Sequence, residues 1–335
     1  MSGRQEPRPA GTIRHAVVAG GSGAVGDLFT ALLAAAGAEV RVADPLAPAA
    51  LPPGAHWVEG DITAPSGALR AELARTDLLL LAVPEPVALG ALPALDGVLA
   101  EGALLADTLS VKGRVATAAG RLQGRRQTVG LNPMFAPSLG LRGRPVAAVV
   151  LHDGPLVRDL LGLVAAGGGR VVEMDADRHD RLAAASQVLT HATVLAFGHA
   201  LAELGADIEE LAAVAPPPHA ALLGLLARIA SGTPEVYWDI QSANPLADRA
   251  REALGHGVDG LRRIVADGGE ADFERYLHNL SDVFGTRLPD FRDLCAEMFA
   301  HLPTPAAATG PAGPAGPTGP VPVSVPVPVS EENHV

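Results

Sequence analysis

His15-Ala16-Val17-Val18-Ala19-Gly20-Gly21-Ser22-Gly23-Ala24-Val25-Gly26 is the stretch on which the reading of this chain turns. A short β-branched strand runs into Gly21, Gly23 and Gly26 at G-x-G-x-x-G spacing, and the helical pattern of Leu28, Leu32 and Leu33 follows. Each glycine has an expected task. Gly21 permits the tight turn, Gly23 lets backbone N–H groups approach a pyrophosphate, and Gly26 lets helix and strand pack closely. Ser22, Ala24 and Val25 complete the turn, and the helix N-terminus adds free donors and a partial positive charge. The next strand, Glu39 to Ala43, ends in Asp44, whose carboxylate can accept both hydroxyls of an adenosine ribose. NAD is therefore the expected cofactor, and Arg41 nearby keeps NADP open.

The following segments extend a doubly wound parallel sheet. Asp77 to Pro84 contains a continuous apolar run bounded by turn residues, which suits a strand buried on both faces and places Val83 and Pro84 beside the cofactor. Leu104-Leu105-Ala106-Asp107 ends another strand, so Ser110 just beyond it can reach the nicotinamide end. Thr108 or Ser110 capping the next helix is the equally weighted alternative. Lys112 reads as a solvated helix-start residue or as a lure for phosphate or carboxylate. Further strands fall near residue 129, at Val146 to Leu151 and at Val171 to Met174. Past Asp175 helical periodicity takes over, which sets a boundary near 176. The expected organisation is a disordered lead over 1–13, a Rossmann-type domain over 14–176, an all-helical domain over 177–302 and a disordered, polyproline-like tail over 303–335.

In the helical half, one long helix from Asp177 to Leu204 carries Gln187 and His191 four residues apart, hence on one face. A second starts at Pro217 and Pro218 and carries Arg228 in line with Ala221, Gly224 and Leu225. A guanidinium on that stripe needs an anion, either a protein carboxylate or a ligand. Tyr237 and Trp238 are candidates to stack on a ligand ring, with core packing the better expectation.

Composition narrows the partners. The 335 residues are 48% hydrophobic, enough for two domains with buried cores, and the net charge of -12 leaves no basic stripe for nucleic acid. The single cysteine, Cys295, excludes an intrachain disulfide or a thiolate metal site, and no membrane span is read. A small-molecule ligand and a cytoplasmic location are expected.

Taken together, these residues resemble the prephenate and arogenate dehydrogenases over roughly 14–300. Besides the glycine turn, Asp107-Thr108-Leu109-Ser110-Val111-Lys112 is similar to the family's D-x-x-S-V-K, and Gly130-Leu131-Asn132-Pro133-Met134-Phe135-Ala136-Pro137 to its G-x-H-P-M-F-G-P. His179-Asp180, Leu189-Thr190-His191 and the run from Arg228 to Ile240 continue the likeness in order. The resemblance implies a Rossmann domain joined to an all-helical dimerisation domain, a homodimer, no metal, and transfer of hydride from C4 of a cyclohexadiene dicarboxylate to NAD with loss of carbon dioxide. Carried over, Arg228 matches the substrate-carboxylate arginine, His191 the second active-site histidine and Ser110 the active-site serine. Gln187 and Tyr237 join them as substrate-side candidates, Gln187 either orienting the His191 ring or merely buried and hydrogen-bonded.

Asn132 departs from that pattern. The family's histidine at this place accepts a proton from the C4 hydroxyl, and losing a general base typically costs about 10²–10⁴-fold in rate. One resolution is a substrate with an amine at C4, whose lone pair expels hydride while Asn132 only orients it. In that respect the chain looks like the branch acting on 4-amino-4-deoxyprephenate, on a route to antibiotic precursors. The alternatives are a prephenate or arogenate dehydrogenase with His191 or another group as base, and a catalytically silent NAD-binding sensor.

Overall fold

The computed structural model describes residues 12–122 and 126–302. Most of the expected lead and the whole expected tail lie outside them. Ile13, however, is buried and its N–H bonds Asp159 at 2.7 Å, so the ordered chain starts before residue 14.

The first half alternates strand and helix: β1 (His15–Ala19), α1 (Ala24–Ala35), β2 (Glu39–Asp44), β3 (Ala55–Glu59), α2 (Gly67–Leu73), β4 (Leu78–Leu81), α3 (Glu85–Leu95), β5 (Leu104–Asp107), α4 (Gly113–Ala119), β6 (Thr128–Pro133), β7 (Pro145–His152), α5 (Pro155–Ala166) and β8 (Arg170–Glu173). The strands form one sheet in the order β3-β2-β1-β4-β5-β6-β7-β8. The order reverses direction between β1 and β4, the crevice where doubly wound sheets hold ligands. β4 is four leucines, all fully buried, because the sheet is covered on both faces. Val18, Leu78, Leu80 and Leu104 pack with α1 and α5 on one face. Val17, Leu79, Leu81 and Leu105 pack with α2, α3 and α4 on the other.

The sheet is not parallel throughout. β6 and β7 pair antiparallel, whereas β7 and β8 are parallel to each other, so the last two strands run against the first six. The connection through 134–144 contains only a 3₁₀ turn at Pro137–Leu139 and is too short for a crossover helix. The register places Ala19, Leu81, Asp107 and Gly130 in one row across the sheet. Asn132, two residues past that row, therefore stands at the carboxyl edge.

Eight helices follow: α6 (Ala176–Ala183), α7 (Leu189–Glu203), α8 (Ile208–Val214), α9 (Pro217–Ala230), α10 (Pro234–Ala243), α11 (Ala247–Asp267), α12 (Glu270–Asp282) and α13 (Leu288–Ala300). The Asp175 carboxylate caps α6 by accepting the Arg178 N–H. The long helix expected over 177–204 is broken by a π turn at Ala184–Val188. α6 rests on α4 and β7, which brings the start of the helical half to the sheet edge. Its own core is thin: Val188, Ile240 and Ala247 are buried together, while Val265, Leu277, Val283, Phe284, Phe291 and Met298 are exposed. Among the described residues no helix is long and apolar enough to cross a membrane.

Candidate active site

The glycine turn distributes its tasks differently from the sequence expectation. The left-handed residue is Gly20, at φ +76°, where a Cβ would stand 2.3 Å from the Ala82 carbonyl oxygen. Gly21 instead makes room for Val42, whose Cγ1 lies 2.7 Å from where its Cβ would be. Gly26 has the expected reason: its Cβ would fall 2.2 Å from the Gly20 oxygen. At Gly23, the N-cap of α1, the nearest protein atom to a Cβ is 3.4 Å away, so packing does not demand a glycine there. What the bare backbone leaves is space in front of the helix N-terminus. Ser22, Gly23 and Ala24 are exposed, no side chain caps the helix, and its first internal bond is Asp27 N–H to Gly23 O. The N–H groups of Ala24, Val25 and Gly26 precede that bond, an arrangement that fits a pyrophosphate. Asp44 ends β2, one carboxylate oxygen accepting the Leu46 N–H and its carbonyl accepting Trp57 Nε1. Val83 and Pro84 follow β4, and Val83 abuts Gly20.

Beyond β5, Ser110 is half-buried and its hydroxyl has no partner among the described residues. Neither it nor Thr108 caps α4, whose N-cap is Lys112 without a side-chain bond. Lys112 itself corrects both sequence readings. It is 1% exposed, its ammonium bonds Asp107 and, at 2.7 Å, the Leu131 carbonyl, and it faces neither solvent nor a ligand. Burial pulls its pKa down against the opposing attraction of Asp107. Gly130 makes room for this pair: a Cβ there would lie 2.9 Å from Lys112 Cδ and 3.0 Å from Asp107 Oδ2.

Above that pair lies a second buried set. Asn132, 2% exposed, places Nδ2 at 3.1 Å from His179 Nε2 and 3.4 Å from Gln187 Oε1. His179 Nδ1 is 2.8 Å from Asp180 Oδ1, and the Asp180 carboxylate also accepts the Lys112 and Gly113 N–H groups, each at 2.8 Å. Burial alone would raise the Asp180 pKa, but the bonds from His179 and the two backbone donors outweigh it and hold the carboxyl below its usual range. His179 was absent from the site expected by sequence, although His179-Asp180 is one of the motifs that carry the resemblance. Of the two readings of Gln187, the bonded one fits: its Oε1 accepts from Asn132 Nδ2, and it makes no bond to His191 among the described residues.

His191, on α7, is half-buried, meets Tyr237 edge-on with ring centroids 5.2 Å apart, and has a buried Nδ1 with no partner among the described residues. Burial, with the Arg228 charge adding to it, lowers its pKa and favours the neutral ring. Gly232 permits the Tyr237 ring to lie against the turn after α9, since a Cβ would sit 2.5 Å from Tyr237 Cε2. Trp238 is 70% exposed and so belongs to no core. Arg228 is exposed and, among the described residues, makes no ion pair with a carboxylate of the kind considered from sequence.

The profile of the prephenate dehydrogenase dimerization domain matches residues 175–279. A 4-amino-4-deoxyprephenate dehydrogenase from Streptomyces pristinaespiralis is 54% identical over 289 residues, 85% of this chain and 96% of its own. The chain belongs to the prephenate dehydrogenase family. A probable arogenate/prephenate dehydrogenase from Methanocaldococcus jannaschii is 26% identical over 63% of this chain and 48% of its own. The fold of this prephenate dehydrogenase family member is shared with the prephenate dehydrogenase from A. aeolicus, solved with hydroxyphenyl propionate and NAD+. The TM-score is 0.63 at 18% identity, over 83% of this chain and 98% of that one.

Proposed function

We propose that this family member oxidises 4-amino-4-deoxyprephenate to 4-aminophenylpyruvate with NAD, as a step towards antibiotic precursors. The C4–H bond breaks with its electron pair leaving as hydride, and the bond from C1 to its carboxylate breaks with its pair entering the ring. The reacting species is the free amine, formed when the ammonium gives one proton to water, and its remaining two protons stay on nitrogen. The observation that carries the reading is the buried amide at Asn132, where the family motif has a base. An amide takes no proton near neutrality, so the driving electrons must come from the substrate, and an amine lone pair provides them. The name of the 54% identical relative supports the same substrate.

NAD, when bound, supplies the hydride acceptor. In this reading the α1 N-terminus with Gly21 to Gly26 holds the pyrophosphate, Asp44 the ribose hydroxyls, and Val83, Pro84 and Ser110 flank the nicotinamide end. Arg228 binds a substrate carboxylate, for which its unpaired guanidinium is suited. His191, kept neutral and backed by Tyr237, offers a hydrogen bond without adding a second charge. Gln187 acts through Asn132.

A homodimer formed through the helical half is part of the proposal, supported by the apolar residues on α11, α12 and α13. The cytoplasm is the proposed location, in keeping with the lone cysteine. The test is reduction of NAD by the purified full-length protein with 4-amino-4-deoxyprephenate and with prephenate. The amino compound is expected to be turned over faster, and the reverse order overturns the proposal.

A further inference from the structure

We infer that His179, held by Asp180 and helped by Gln187, fixes the Asn132 amide so that its oxygen, and not its NH₂, faces the substituent at C4. The inference rests on the proposed use of Asn132 and names the residues that set its direction. Asp180 anchors the set. Its carboxylate receives the Lys112 and Gly113 N–H groups and lies 2.8 Å from His179 Nδ1. An ionised carboxylate accepts and never donates, so the proton of that contact belongs to Nδ1. In the neutral ring Nε2 is then bare and acts as an acceptor. Asn132 Nδ2, 3.1 Å away, donates to it, and the second amide proton points to Gln187 Oε1 at 3.4 Å. Both protons are engaged within the protein. The amide oxygen is the end left for a ligand.

The opposite polarity would require a second ring proton, on Nε2, and would set the amide oxygen against Gln187 Oε1, two acceptors face to face. Fixed direction gives the site a means of discrimination. An amine gives one N–H to the oxygen and keeps its lone pair for expelling hydride. A hydroxyl has a single proton, and strengthens its push only by releasing the proton with which it bonds, which an amide oxygen cannot take. His179 and Gln187 are therefore positioning residues for substrate choice, acting through Asn132.

The first test is nitrogen-15 NMR of the histidine rings in the full-length protein at neutral pH, with the His179 signals assigned by their absence from His179→Gln. A protonated Nδ1 with a bare Nε2 is expected. Protonation at Nε2 overturns the inference. The second test is kinetic. His179→Leu is expected to lose about ten- to hundredfold in kcat/KM for 4-amino-4-deoxyprephenate and most of its preference over prephenate. His179→Gln, whose side-chain oxygen can reach the place of Nε2, is expected to retain most of that preference. Equal losses in both variants on both substrates, with unchanged unfolding midpoints, overturn the positioning role. Faster turnover of prephenate by the unaltered protein would overturn the substrate reading alone, because the ring tautomer is measured without substrate.

Discussion

Asn132 and Lys112 are both buried near the carboxyl edge of the sheet, one as an uncharged amide and the other as an ammonium bonded to Asp107. Asn132→His is expected to give no gain in oxidation of the amino compound, followed as NADH formation, because the free amine already holds its lone pair and the hydride step releases no proton from nitrogen. Asn132 was legible in the sequence, because one amide in a motif that otherwise reads Gly-x-His-Pro-Met is a chemical statement by itself. Lys112 was illegible: a lysine at a helix start reads as solvated, and only the absent Cβ of Gly130, on a neighbouring strand, creates its cavity. Lys112→Met leaves Asp107 buried without its cation and is expected to cost about 3–5 kcal/mol in denaturant unfolding. The double change Lys112→Met with Asp107→Leu is expected to recover much of it. His191 adds a pH dependence. Its folded pKa is lowered, so the unfolded chain takes up the proton first as pH falls below about 6.5, and stability declines from there towards the folded pKa. His191→Phe is expected to reduce the fall in melting temperature between about pH 7 and pH 5.

At the level of elements, the apolar runs and the glycine spacing were sufficient to place β1, α1, β4 and β5. Gly26→Ala is expected to weaken NAD binding and destabilise the turn together, seen as a higher NAD Kd and a lower unfolding midpoint, because its methyl would meet backbone and not a movable side chain. Two features escaped sequence reasoning. β7 is apolar whichever way it runs, and only the short 134–144 connection hinted at its reversal. The π turn at Ala184–Val188 explains why Gln187 and His191 part company: widening the turn rotates the two off their shared stripe. Gln187 thereby reaches Asn132 while His191 meets Tyr237. Helical periodicity alone carries no mark of such a turn.

For the whole molecule, the two halves differ in how much they bury. The sheet half has closed cores on both faces, whereas the helical half leaves apolar side chains of α11, α12 and α13 in the open. Sedimentation is expected to give twice the 34.1 kDa chain mass. Leu277→Asp is expected to shift that equilibrium towards the single chain, because a charge would have to be desolvated in the joined form. Composition could foretell two domains, but not which surface is left unpaired, since amphipathic helices look alike whether they cover their own core or a neighbour's.

The cluster of Val188, Ile240 and Ala247 is too small to hold eight helices in place unaided. In the proposed homodimer, folding of that half and pairing of two chains are a single thermodynamic event. Heat resistance becomes a property of the solution as well as of the polypeptide: dilute samples are expected to melt earlier than concentrated ones, and the helical half to go first.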